Sequence, residues 1–156
     1  MGNIKMKKIL IFSFALMLAA CSSDSKILGK WKTTVETNGA AATEICSYVE
    51  NHTEICEETI NLNMYGNYMQ IKYFLTQEWQ LDGSKLLEKT MDATITEISI
   101  DGQALGASDP RYQNSAAIIL GKHPKGETLS RKISFDGDSY QLFQKNGEIT
   151  KYTRVK

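Results

Sequence analysis

The chain has 156 residues, 18 basic and 18 acidic side chains and 42% hydrophobic residues, a composition that suits one globular domain with a core of its own. The charges are interspersed, with no basic run or stripe, which excludes the electrostatic footprint of a nucleic-acid-binding protein. No phosphate-cradling glycine loop and no dinucleotide fingerprint occurs, so nucleotide chemistry has no motif to rest on.

The N-terminus divides into three zones. Lys5, Lys7 and Lys8 form a positive start, Ile9 to Met17 is apolar except for Ser13, and Leu18-Ala19-Ala20-Cys21 follows. A charged start, a short apolar core and a small-residue cleavage site define a secretory signal. The apolar stretch is shorter than the roughly 20 residues that span a bilayer. Leu18-Ala19-Ala20-Cys21 resembles the lipobox of bacterial lipoproteins. The resemblance implies that residues 1–20 are removed and that Cys21 carries lipid, a diacylglycerol on the thiol and an acyl chain such as palmitate on the new amine. Each buried methylene contributes about 0.8 kcal/mol, so two or three chains hold a protein on a membrane where one does not. Ser22, rather than Asp, follows the cysteine, which in enteric-type bacteria favours the outer membrane over the inner. Processing takes three lysines and no acid, leaving 15 basic against 18 acidic side chains, a net charge of about −3.

Residues 21–26 read as a lipidated tether and 27–156 as one domain, without an internal repeat or a second domain. Cys46 and Cys56 are an even pair in an oxidising compartment, which predicts a disulfide. The polar stretch Glu50-Asn51-His52-Thr53 between them predicts a hairpin centred near Asn51. Such a hairpin sets the two cysteines opposite each other, about 5.5 Å apart and within disulfide reach. Closing so short a loop contributes on the order of 3 kcal/mol. A metal site made of Cys46, His52 and Cys56 is the alternative, but its spacing matches no common zinc pattern and a fourth ligand is not evident.

Beyond the cysteines the chain reads as strands punctuated by turns. Asp82-Gly83, Asp101-Gly102 and Asn146-Gly147 are hairpin dipeptides, with Gly66-Asn67 and Asp136-Gly137 as further turns. Period-two alternation places Met69, Ile71, Tyr73 and Leu75 on one face, followed by Trp79 and Leu81. Met91, Ala93 and Ile95 share a face that Ile98 and Ile100 then leave, which predicts a bulge near Thr96-Glu97. Ser108 or Asp109 as cap, Pro110 at the first helical position and Ala116 to Leu120 predict one short helix over 108–122, either covering a barrel end or decorating a strand connection. Ile133 with Phe135, Tyr140 with Leu142, and a closing strand over Glu148 to Val155 complete the pattern. The fold class is therefore mostly β, an antiparallel up-and-down barrel of about eight strands.

Gly29-Lys30-Trp31 at the head of the first strand resembles the Gly-x-Trp signature of lipocalins and lipocalin-like bacterial lipoproteins. The resemblance implies that Trp31 closes one barrel end and that a basic residue of the last strand, Arg154, packs over its indole. Stacking of this kind contributes about 0.5 to 2 kcal/mol. The motif covers only the two ends of the chain; otherwise Trp31 is an ordinary core aromatic.

No catalytic motif stands out, no metal site is expected, and the chain is read as a non-enzyme without a cofactor. His52 and His123 fall in loops, and Asp136 with Asp138 brackets a turn glycine. Met69, Ile71, Tyr73, Trp79, Tyr140 and Leu142 face an interior that is either a filled core or a cavity for one ligand. The expected function is a membrane-anchored lipoprotein of the cell envelope that binds a small apolar or amphipathic molecule in its barrel. The alternative is a structural or protein-interaction lipoprotein with a filled core. A roomy interior separates the first from the second, which expects dense packing and an exposed apolar patch.

Overall fold

The computed structural model describes residues 24–64 and 66–156. The expected signal segment, the lipobox and Cys21 lie outside the described residues. A helical turn, α1, occupies residues 24–27. Nine strands and one longer helix follow: β1 (Gly29–Thr37), β2 (Ala40–Tyr48), β3 (Thr53–Met64), β4 (Asn67–Asp82), β5 (Lys85–Ile100), β6 (Gln103–Ala104), α2 (Pro110–Gly121), β7 (Thr128–Asp136), β8 (Ser139–Phe143) and β9 (Ile149–Arg154).

Every strand pairs antiparallel with its sequence neighbour, except that the two-residue β6 is an appendage on β5 and β7 pairs with β5 directly. The β1–β9 pairing, Trp31 opposite Arg154 and Lys32 opposite Thr153, closes the sheet into an eight-stranded up-and-down barrel. Closure removes the exposed edges that an open sheet would carry.

The sequence pattern explains the inward faces. Along β4, Ile71, Tyr73, Leu75, Gln77 and Trp79 are buried in strict alternation. β5 breaks its alternation twice. Thr96 is left out between the pairs Lys72–Glu97 and Tyr73–Ile95, at the expected bulge, and Met91 is left out between Thr76–Asp92 and Gln77–Thr90. The second bulge was not expected. It turns Leu86, Glu88 and Thr90 to the interior in place of Leu87 and Lys89. Apolar periodicity gives no sign of it, because two of the three residues it turns inward are polar.

The end of the barrel at which β1 begins carries the 49–52, 83–84 and 137–138 turns and is sealed. Trp31 is fully buried and its Nε1 donates to the Ile27 carbonyl at 2.6 Å. The Arg154 guanidinium lies over the indole, Cζ 4.1 Å from the ring centroid. It donates to the Leu28 carbonyl at 2.7 Å and to Lys26 at 3.0 Å, tying first strand to last. Gly29 is needed beneath it, since its φ is +112° and an added Cβ would stand 2.7 Å from Arg154 Nη1.

At the opposite end α2 starts at Asp109, whose side chain accepts from the Arg111 N–H at 2.8 Å, with Pro110 in the first turn. Hydrogen bonds from Arg111 hold the Asp109 carboxyl low, at about 2. The helix runs through Gly121 and Lys122 caps it. It lays Ile119, Tyr112 and Ala116 against Ile71, Tyr73 and Ile98, so it covers inner-face residues of β4 and β5 rather than decorating a connection.

Candidate functional site

Thr43-Glu44-Ile45-Cys46 and Thr53-Glu54-Ile55-Cys56 repeat four residues across the β2–β3 hairpin, which corrects the expectation that no internal repeat occurs. The Val49 N–H donates to the Thr53 carbonyl at 3.0 Å, and hydrogen-bonded pairs alternate from there. Cys46 and Cys56 therefore face each other as a non-hydrogen-bonded pair, with Cα atoms 4.0 Å apart rather than the wider hydrogen-bonded spacing, and they form a disulfide. The hairpin is centred at Asn51, as the spacing predicts. His52 is not drawn to the sulfurs. Its φ is +61°, its Nδ1 lies 3.2 Å from the Trp79 carbonyl oxygen, and its ring sits 4.8 Å from the Trp79 ring.

Because strand side chains alternate, two inward cysteines bring their i−2 and i+2 neighbours inward too. Glu44 and Glu58 face each other across β2–β3, as do Tyr48 and Glu54. Glu88 joins them from β5, Arg131 from β7, Tyr140 from β8 and Tyr152 from β9. The barrel interior thus holds a layer of acids and tyrosines where an apolar lining was expected. Glu54 and Glu88 are almost wholly buried.

Hydrogen bonds cross the barrel through this layer. Tyr48 Oη and Tyr140 Oη are 3.3 Å apart, and the Tyr48 hydroxyl donates to Glu88 at 3.4 Å. Arg131 Nε donates to Glu88 Oε2 at 3.0 Å, with Nη2 on the same oxygen. The Tyr152 hydroxyl donates to Glu44 Oε1 at 3.1 Å, and Tyr73 donates to Glu58. His123, expected as a free loop residue, is half-buried with Nε2 3.4 Å from the Tyr73 oxygen. Tyr140 stacks on Tyr152 at 4.6 Å and meets Trp31 edge-on at 4.8 Å.

The electrostatics follow from desolvation. Burial, then repulsion from Glu58, raises the Glu44 carboxyl to about 8. Burial, then Glu88, pushes Glu54 well above the usual carboxylate range. Burial likewise raises Tyr48, Tyr140 and Tyr152. Burial penalises the Arg131 guanidinium most, yet the Glu88 charge and hydrogen bonds together with Tyr152 and Tyr48 outweigh it and hold the group firmly protonated. Near neutral pH Glu44 is therefore a neutral acid, able to donate a hydrogen bond and unsuited to act as a base, and Glu54 is shifted in the same direction. Glu54 Oε2 has no hydrogen-bond partner among the described residues.

The six residues expected to line a ligand cavity do not gather in one place. Met69, Ile71 and Tyr73 belong to the cluster beneath α2, whereas Trp79, Tyr140 and Leu142 pack with Trp31 and Ile27 in the cluster at the sealed end. Gly29, Trp31 and Arg154 come together as described above. Apolar periodicity missed Glu44, Glu54, Glu58, Glu88 and Arg131; the repeated Thr-Glu-Ile-Cys, with both cysteines committed to the interior, was the available signal for three of them. Outside the barrel wall, a recess of about 550 Å³ opens beside Trp79, lined by Asn51, His52, Leu81, Leu87 and Lys89 among others. No protein-family model matches the chain, and no curated protein matches it.

Proposed function

We propose that the chain is a lipid-anchored lipoprotein of the cell envelope whose barrel is a filled scaffold, acting through its outer surface on a protein partner rather than carrying a ligand inside. The observation that carries this reading is the polar network across the barrel: a ligand would have to break the Tyr48–Tyr140, Arg131–Glu88 and Tyr152–Glu44 contacts, each joining two different strands. Stranding such buried groups costs about 1–3 kcal/mol apiece. The outer wall offers a surface for the partner. Ile55 and Phe74 lie diagonally on the outward face of β3 and β4, 45% and 41% exposed, with Val49 at 42% beside the same hairpin.

Anchoring rests on the charged start, the short apolar core and the lipobox ending at Cys21, and Ser22 favours the outer membrane. The lipocalin resemblance enters at the sealed end alone, through Gly29, Trp31 and Arg154. One observation supports a second reading, in which a small amphipathic ligand is held: the recess beside Trp79, where Leu81 and Leu87 lie near polar Asn51, Gln80 and Lys89. That ligand would sit outside the barrel core.

The anchor is tested by Cys21→Ser. Metabolic labelling with a palmitate analogue is expected to mark the wild-type chain, and the variant is expected to lose both the label and its place in the membrane fraction. A labelled variant, or a wild-type chain that never takes label, would refute the anchor.

A further inference from the structure

We propose that Cys46, Cys56 and Glu44 form a redox-gated metal site, closed in the disulfide and able in the dithiol to take a divalent ion of the zinc class. Both Sγ atoms and a Glu44 carboxylate oxygen lie within 4.8 Å of one another. A tetrahedral zinc site, with Zn–S bonds of about 2.3 Å and Zn–O bonds of about 2.0–2.2 Å, draws its ligand atoms to somewhat under 4 Å, so only small side-chain shifts are needed. The ligands come from two neighbouring cross-strand pairs, Cys46–Cys56 and Glu44–Glu58, of which Glu58 is engaged by the Tyr73 hydroxyl. The Tyr152 hydroxyl, donating to Glu44 Oε1 at 3.1 Å, supplies the outer hydrogen bond that orients a ligating carboxylate. Two thiolates select a soft or borderline ion over calcium or magnesium.

A second observation concerns the surroundings of the two sulfurs. Glu44 Oε1 lies 2.7 Å from Cys46 Sγ, and Glu54 Oε1 lies 3.1 Å from Cys56 Sγ. A disulfide sulfur has no hydrogen to give. In the dithiol each S–H has a carboxyl oxygen within reach to accept it. Each sulfur thus has a carboxyl oxygen beside it, in a layer where Glu54 Oε2 has no partner among the described residues. An ordinary structural staple needs no such neighbours.

The chemistry balances in two steps. A dithiol reductant gives two electrons and two protons to the S–S bond, forming two Cys thiols and its own disulfide. The metal ion then binds both sulfurs and the Glu44 carboxylate, releasing the two thiol protons and the Glu44 proton. Loss of the metal, followed by exchange with a disulfide oxidant that takes two electrons and two protons and becomes a dithiol, restores the Cys46–Cys56 bond.

Cobalt(II) is the probe, because thiolate ligation gives it a charge-transfer band that oxygen ligands do not. The full chain, purified in detergent, is titrated with Co2+ in the oxidised form and after reduction by a water-soluble phosphine, which takes up the oxygen of one water as the disulfide opens. The expected result is one Co2+ per reduced chain with a thiolate band, and no band in the oxidised chain. Cys46→Ser is expected to abolish the band, which also excludes Cys21 as its source, and Glu44→Gln to weaken binding tenfold or more. The proposal is overturned by a reduced chain that keeps its β-sheet circular dichroism but shows no band. It is equally overturned by a band that survives Cys46→Ser, by unchanged affinity in Glu44→Gln, or by a chain that unfolds on reduction and so needs the disulfide as a staple.

Discussion

Replacing Arg131 with methionine is expected to cost about 3–5 kcal/mol of stability, the range for breaking one side of a buried ion pair. Glu88 has no exposed side-chain surface and Arg131 only 16%, so the pair is screened little by solvent. Methionine would fill much of the volume of the arginine stem while removing both hydrogen bonds to Glu88 Oε2. What remains is a carboxylate facing Glu44, Glu54 and three tyrosine hydroxyls with no cation beside it. The companion variant separates charge from packing: adding Glu88→Gln to Arg131→Met removes the stranded charge and is expected to recover most of the loss. Urea unfolding of the two single variants and the double variant measures this directly. An Arg131→Met chain within about 1 kcal/mol of wild type would mean that surface substitutions, not buried ones, are the right comparison, and that the ion pair is solvated.

The second large effect is a stability that falls as pH rises through neutrality. Glu44 is raised from 4.5 to about 8 in the folded chain, by burial and then by Glu58, and Glu54 is raised by burial and then by Glu88. Between the unfolded and folded values the native state binds more protons than the unfolded state. The contribution of Glu44 is therefore fully present below about pH 4.5 and is lost as pH climbs through its folded value near 8, and Glu54 acts in the same direction. Each such group sets a slope of up to about 1.4 kcal/mol per pH unit in that window. Asp109 acts in the opposite sense, and only where pH falls from 3.8 towards about 2, so the windows do not overlap. Denaturant midpoints between pH 5 and 8 are expected to fall in the wild type. Glu44→Gln, which keeps an acceptor for Tyr152 and cannot lose a proton, is expected to flatten the curve by about one group's slope. A wild-type curve that rises over this range would contradict the buried neutral acids.

Much of the architecture was legible in the residues. Hairpin dipeptides and alternation gave the strands, Pro110 after Asp109 gave the helix start, and the spacing of Cys46 and Cys56 around Asn51 gave the register of β2 on β3. The bulge near Thr96 could be read because Ile95 and Ile98 are both apolar and both want the interior. The bulge at Met91 could not, because the residues it turns inward include Thr90 and Glu88, and a polar side chain carries no preference that alternation can detect. The same blindness hid the acid layer. Glutamate in a strand is ordinarily outward, and only the commitment of the neighbouring cysteines to the interior forces Glu44, Glu54 and Glu58 the other way. Arg131 reads as an unremarkable strand cation until its partner Leu86 is known to face inward. The position of α2 was open because Ile118 and Ile119 are equally apolar; packing buries Ile119 and leaves Ile118 62% exposed.

A filled interior is tested most directly by the native mass of the domain from Ser22 onward, purified gently and compared with its denatured mass. The expected result is one mass in both conditions, two hydrogens short of the free-thiol chain, and unchanged after incubation with membrane extract. A reproducible extra mass that leaves on denaturation, and that Tyr48→Phe or Tyr140→Phe alters, would contradict the filled core and make the barrel a ligand carrier.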